Sequence, residues 1–272
     1  MHPPTAPHWS HHQYRPMQDY TYKFTPNGEL RIHVCFPFDW RPADRRGAIV
    51  FFFGGGWNSG TPAQFFRHAT YFASRGLVAA SADYRVKSRH EVTPDVCVAD
   101  ARSAVRWLRQ NADGLGIDPA RIVASGGSAG GHLAACTSLI DGFDDPRDDP
   151  SVSAAATALV LFNPALRMGP GGIERAGISE ALARQISPIE HLTADAPPTV
   201  LFYGRDDRVC PHGPEYLETA RAVGARVELH LYDGAGHGFF NRDPWFKQTL
   251  YRADEFLASL GYLAGPPPFT RE

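Results

Sequence analysis

With 272 residues, and 27 Lys+Arg against 29 Asp+Glu for a formal charge of −2, the chain lacks the basic footprint of a nucleic-acid or anionic-membrane binder. Its 43% hydrophobic and 12% aromatic residues suit a globular domain with a sizeable core. No apolar run approaches the roughly 20 residues needed to span a bilayer. The cysteines Cys35, Cys97, Cys136 and Cys210 form no C-x-x-C pair, so neither a zinc site nor a disulfide framework is expected. Cys97 and Cys136 fall on apolar helix faces and read as buried small hydrophobes.

The polar, proline-rich start carries His2, His8, His11 and His12 without a hydrophobic signal-peptide core. Residues 1–18 are therefore read as a disordered arm rather than a metal tract. The expected compartment is cytoplasmic, or secreted or periplasmic if a signal peptide precedes this sequence. Residues 19–24 and 30–38 alternate around Pro26-Asn27-Gly28, which predicts an antiparallel hairpin. Continuous apolar runs at 48–53, 77–82, 158–163 and 199–203, and the run 227–232, predict further strands, the first of them buried on both faces. Helical patterns lie near 62–75, from Pro94 to about Leu108, near 213–223 and near 245–260. Strands alternating with helices imply an α/β fold. They predict a mostly parallel sheet of about eight strands with helices on both faces and right-handed crossovers. Residues 165–190, with Gly169-Pro170-Gly171-Gly172, break this rhythm and read as a small cap or loop over the site. The rest, 19–272, reads as one domain.

The most informative stretch is 120–140. A short β-branched run, Arg121-Ile122-Val123-Ala124, passes through Gly126-Gly127-Ser128-Ala129-Gly130 into an Ala/Leu-rich helical segment. A strand that turns straight into a helix through G-x-S-x-G must bend sharply. That bend forces the serine into a strained conformation and lifts its hydroxyl off the sheet edge. The helix then points its N-terminal N–H groups and positive dipole end at the same spot. A Gly/Ser-rich turn can match the pattern by chance, but here the flanking strand and helix are both present.

A serine hydroxyl needs a base within reach and a carboxylate to orient that base. The base candidate is His237, just past the 227–232 run and flanked by Gly236 and Gly238. His230 lies within a strand, and His191 and His212 read as exposed loop residues. The acid candidates, Asp206 and Asp207, follow the 199–203 strand; Asp207 is favoured, which leaves Asp206 a solvated loop carboxylate or helix cap. Oxyanion donors should come from the residue after the serine, Ala129, and from Gly54-Gly55-Gly56-Trp57 after the 48–53 strand. Trp57, Phe65, Phe66 and Phe239 are candidates for an apolar wall, with core packing the stronger expectation for Phe65 and Phe66.

These residues together resemble the α/β-hydrolase superfamily. Within it, they resemble the carboxylesterases related to hormone-sensitive lipase and the carbohydrate acetyl and feruloyl esterases. The resemblance covers about residues 20–265. Phe53-Gly54-Gly55-Gly56-Trp57 is similar to the family's His-Gly-Gly-Gly motif, with Phe53 where histidine is usual; that histidine orders the loop and does not react. Asp83-Tyr84-Arg85 resembles a segment supporting this loop. Gly204 with Asp207 resembles the acid loop, and aligning on that glycine favours Asp207, whereas aligning on Val209 favours Asp206. Gly236-His237-Gly238-Phe239 resembles the histidine loop. The resemblance implies catalytic Ser128, Asp207 and His237 and oxyanion donors at Gly55, Gly56 and Ala129; of the apolar-wall candidates, Trp57 and Phe239 are the expected substrate contacts. The acyl-enzyme chemistry needs no metal or organic cofactor, and the expected partner is a small-molecule ester, the protein acting as a monomer or homodimer. The expected activity is ester hydrolysis through an acyl-enzyme; the short candidate cap argues for short-chain acyl esters, and the resemblance alone extends this to acetyl groups on carbohydrates. The alternatives are a serine amidase, peptidase or arylformamidase on the same fold, and a non-catalytic binding protein on that scaffold. A cysteine-dependent dienelactone-type hydrolase is disfavoured because no cysteine occupies the elbow.

Overall fold

The computed structural model describes residues 14–270. The strands are β1 (Gln18–Thr25), β2 (Gly28–Cys35), β3 (Arg46–Phe52), β4 (Val78–Ala82), β5 (Ile117–Gly127), β6 (Ala158–Phe162), β7 (Thr199–Gly204) and β8 (Val227–Tyr232). The α-helices among the described residues are α1 (Phe66–Ser74), α2 (Lys87–His90), α3 (Pro94–Gln110), α4 (Ala112–Leu115), α5 (Ala129–Leu139), α6 (Pro170–Ala176), α7 (Glu180–Gln185), α8 (His212–Val223) and α9 (Trp245–Ser259). All eight strands join one sheet in the order β1-β2-β4-β3-β5-β6-β7-β8. The β1–β2 and β2–β4 pairs are antiparallel, and every later pair is parallel. This is the doubly covered, mostly parallel sheet that the alternation of apolar runs predicts.

The parallel register sets where the loops emerge. Phe52 pairs with Gly126, Gly127 with Phe162, Phe162 with Phe202, and Gly204 with Tyr232. The C-terminal ends of β3, β5, β6, β7 and β8 therefore finish level, and the loops leaving them share one edge of the sheet. Ligands in open α/β sheets bind at such an edge.

The core is rich in aromatic rings. Phe51, Phe65 and Phe162 are fully buried, so the core expectation for Phe65 holds, whereas Phe66 is half-buried. His68 on α1 is 1% exposed among Phe51, Phe65, Phe162, Phe240 and Phe246, and neither ring nitrogen has a hydrogen-bond partner among the described residues. Burial, helped by the Arg67 charge, lowers its pKa to about 3. The folded protein thus holds this ring neutral, while the unfolded chain takes up a proton below about pH 6.5. The stability linked to His68 is present above that pH and falls as pH drops towards 3, by on the order of 1.4 kcal/mol per pH unit. A His68→Leu variant is expected to lose less melting temperature between pH 7 and pH 5 than the parent; equal losses would exclude His68 as a cause.

Charge is buried where it ties the hairpin to the sheet. Lys23 on β1 reaches Asp100 of α3 at 2.7 Å and Asp145 at 2.9 Å, and Arg85 grips Asp100 from the loop after β4. Hydrogen bonds from Arg147 and Lys23 hold the Asp145 carboxyl well below the usual carboxylate range.

Most of the expected arm, residues 1–13, lies outside the described residues. Residues 14–18 are not free: Tyr14 bridges Pro37, the Arg15 amide donates to Phe36, and Gln18 starts β1. The reason is that Arg15 also donates to the carbonyls of Phe38 and Trp40 and lies over the Trp40 ring. In the 165–190 stretch, α6, α7 and the turn Pro188–His191 bury Ile186 and Ile189. Lys87 donates to the Arg175 carbonyl at 2.7 Å, linking this insert to α2. No helix among the described residues is long and apolar enough to cross a membrane.

Candidate active site

Ser128 stands between β5 and α5 with φ 55° and ψ −118°, a conformation that non-glycine residues rarely adopt. Its amide donates to the Phe162 carbonyl, and its carbonyl accepts from His132 and Ala165, so both sides of the bend are held. Gly130 permits the tight return. A Cβ there would lie 2.0 Å from the Phe52 carbonyl oxygen and 2.4 Å from that of Phe53. Gly130→Ala is expected to destabilise the protein by about 1–3 kcal/mol or more. The check is a lower denaturant midpoint at unchanged m, and an unchanged midpoint would exclude steric need at Gly130 as the basis of the elbow.

The loops from β7 and β8 bring the other two candidates to the same place. His237 Nε2 lies 2.8 Å from Ser128 Oγ, and its Nδ1 lies 2.7 Å from Asp207 Oδ2. The Asp207 side chain is fully buried, whereas the imidazole is 46% exposed. The Val209 amide donates to Asp207 Oδ1 at 3.0 Å, so each carboxylate oxygen has one partner. A buried carboxylate can only accept, which puts the His237 proton on Nδ1 and leaves Nε2 bare towards the serine. Asp206 is exposed, and its amide donates to the Ala235 carbonyl. Of the two aspartates, the structure brings Asp207 to the histidine.

The glycine loop after β3 lies against the elbow. The Gly54 amide is taken by Gln64 Oε1 at 2.6 Å. Among the described residues, no acceptor engages the N–H groups of Gly55, Gly56 or Ala129. Gly55, Gly56 and Trp57 have φ of 138°, 64° and 58°. Lys87 donates its amide to the Trp57 carbonyl, and Ser88 donates its amide and hydroxyl to the Asn58 carbonyl. Phe53, where the resembled family has histidine, stacks on Tyr84 at 4.1 Å, and the Tyr84 hydroxyl donates to the Phe53 carbonyl at 2.7 Å. Packing and one hydrogen bond thus anchor the base of the loop.

Phe239 departs from the expectation of a substrate wall. It is 3% exposed and packs among Tyr232, Phe240 and Trp245, so it belongs to the core. Its burial follows from the 3-10 turn Phe239–Asn241, which turns the chain inward directly after His237. Trp57 is half-buried beside α5, donating its indole N–H to His132. His212, read as an exposed loop residue, is instead the half-buried first residue of α8.

One site residue carried no sequence signal beyond ending a strand. Asn163, fully buried with φ 35°, accepts the Gly238 amide on Oδ1 at 3.2 Å and so holds the histidine loop. A cleft of about 320 Å³ lined by Lys23, Arg106 and Trp107 shares no residue with this site. The hydrogen-bonded chemistry, rather than cavity size, locates the candidate centre.

Comparison with known proteins places the chain among esterases. The BD-FAE family model matches residues 41–158. Esterase LipC of Mycobacterium tuberculosis is 31% identical over 225 residues, covering 73% of this chain and 54% of its own length. An acetylxylan esterase of Xylanibacter ruminicola is 25% identical over 260 residues, covering 89% of this chain and 49% of its own. The chain spans about half the length of the curated relatives it matches. Among solved structures, Thermogutta terrifontis esterase 2 phosphorylated by paraoxon superposes with a TM-score of 0.87 at 47% identity, covering 92% of this chain and 96% of that one. With that identity spread over nearly the whole of a solved esterase, on an eight-stranded sheet of this order, the chain belongs to the α/β-hydrolase carboxylesterases.

Proposed function

We propose that this protein hydrolyses short-chain acyl esters through an acyl-enzyme formed on Ser128. The observation that carries the reading is the unbroken chain Ser128–His237–Asp207, at 2.8 and 2.7 Å, beside three unengaged N–H groups. His237 Nε2 takes the hydroxyl proton as Oγ attacks the ester carbonyl. The imidazolium that forms sits against the buried Asp207 carboxylate, which stabilises it without accepting the proton. The N–H groups of Gly55, Gly56 and Ala129 hold the oxyanion, with the α5 dipole adding to them. His237 then protonates the leaving alcohol, activates water and returns the proton to Ser128 as the acid departs.

The substrate class rests on two supports. The Thermogutta esterase has propionate-bound and butyrate-bound forms, which favours short acyl groups. The half-exposed imidazole leaves the reacting centre open to water and to esters of bulky alcohols. The likeness to an acetylxylan esterase extends the proposal to acetyl groups on carbohydrates, an argument from kinship alone. In keeping with this reading, the 165–190 insert acts as a small cap.

Turnover measured on p-nitrophenyl esters from acetate to octanoate, alongside acetylated xylan and a formanilide, tests the proposal. The expected result is a kcat/KM maximum at acetate to butyrate with little formanilide cleavage. A maximum at long chains would overturn the short-acyl assignment, and preferred formanilide cleavage would make the protein an amidase.

A further inference from the structure

The nucleophile helix carries a histidine, one turn past Ser128, that the catalytic chain does not use. His132 is 1% exposed, and groups of opposite polarity engage its two ring nitrogens. The Trp57 indole, which can only donate, lies 3.1 Å from Nδ1. The Ile186 carbonyl, which can only accept, lies 2.6 Å from Nε2. Cys136 Sγ also lies 3.5 Å from Nε2, but the much shorter contact to the Ile186 carbonyl places the proton on Nε2 and leaves Nδ1 bare. Burial acts in the same sense, lowering the ring's pKa to about 4 and keeping it neutral. The rings of Trp57 and His132 meet edge to face at 5.1 Å and 89°.

Trp57 needs such a hold. It is a bulky residue at φ 58°, a conformation costing of order 1–3 kcal/mol unless its surroundings over-determine it. It directly follows Gly55 and Gly56. The loop is thus pinned at its base by Gln64 on the Gly54 amide, and at its far end by Lys87 on the Trp57 carbonyl and His132 on the indole. The proposed oxyanion donors lie between these two anchors. Through Ile186, the same ring also ties the end of α7 to the helix that carries Ser128.

We propose that His132 is a positioning residue, which holds Trp57 so that the Gly55 and Gly56 amides face the oxyanion and sets the 165–190 insert in register with the nucleophile helix. The proposal deepens the acyl-enzyme reading and rests on it.

Three substitutions divide the two bonds. In His132→Asn, the amide oxygen reaches the place of Nδ1 and can still accept from Trp57. In His132→Gln, the amide nitrogen reaches the place of Nε2 and can still donate to Ile186. His132→Phe does neither. The expected result is a fall in kcat on p-nitrophenyl acetate of about 10- to 100-fold in His132→Gln and His132→Phe, with KM within about 3-fold, and a kcat within about 3-fold of the parent in His132→Asn. The Trp57 indole N–H resonance, assigned by its disappearance in Trp57→Phe, should move in the first two variants and stay in the third. Trp57→Phe should itself reproduce the kcat loss, and adding His132→Phe to it should cost little more. Equal kcat losses in all three variants, tracking losses in melting temperature, would overturn the proposal, as would parental kcat in variants whose indole resonance has moved. Ser128→Ala, measured in parallel, separates the two levels. If it retains turnover, the acyl-enzyme reading falls. The indole resonance is read without substrate and reports the tether in either case.

Discussion

Replacing Ser128 by alanine is expected to lower kcat on short-chain esters by about 10⁴- to 10⁶-fold while leaving the melting temperature near that of the parent. The change removes only an oxygen whose side-chain partner is His237. It also places a smaller side chain on the same strained backbone, φ 55° and ψ −118°. The backbone bonds that hold the bend, from the Ser128 amide to Phe162 and from the His132 amide to Ser128, do not depend on the hydroxyl. His237→Ala should cost a similar factor, and the double variant little more than either alone, because the two groups act as one unit. Steady-state kinetics with thermal melts on the three variants checks this. A multiplicative loss in the double variant would mean that the two residues act separately.

The second large effect divides two neighbouring carboxylates. Asp207→Asn is expected to lower kcat by about 10⁴-fold, because an amide can donate to Nδ1 and stabilise the wrong tautomer of His237. Asp206→Asn should stay within about 3-fold, since that side chain is exposed and the bond at this position runs through the backbone amide. The contrast follows from burial: the Asp207 carboxylate is 0% exposed with both oxygens engaged. Kinetics on the two single variants decides it, and a larger loss at Asp206 would reverse the assignment.

The sheet and the candidate centre are legible in the sequence to different depths. The buried strands β3, β4 and β7 are apolar runs that end at Gly54, Asp83 and Gly204, because a strand buried on both faces admits little but apolar residues. In the sequence, the choice of Asp207 rests on aligning Gly204, and the structure gives the physical ground for that alignment. A Cβ at Gly204 would lie 2.0 Å from the Ala235 carbonyl oxygen, so the acid loop and the histidine loop can approach only at glycine. The serine bend is legible because its small residues are sterically required, as Gly130 demonstrates.

Partnerships across the chain stay hidden. Ala129 to Thr137 of α5 are all buried, so no period singles out His132, and local sequence cannot say that an indole and a carbonyl from two other segments meet it. Asn163 looks like a strand terminus, although its side chain holds the Gly238 amide. Phe239 sits beside the histidine in sequence, yet a single 3-10 turn sends it into the core. Lys23 falls in an alternating hairpin strand, where a lysine is ordinarily solvated, whereas two aspartates from distant segments bury it. Each depends on which elements the sheet order brings together, and local pattern does not carry that information.

Central to the proposed mechanism is that Ser128, activated by His237, forms the covalent bond to substrate. Stoichiometric inactivation by paraoxon, followed by peptide mass spectrometry, tests it most directly. The expected result is one diethylphosphoryl group on the peptide containing Ser128, gained in step with the loss of esterase activity and absent from Ser128→Ala. Complete inactivation with the label on another residue, or full turnover by a protein carrying the label on Ser128, would contradict it.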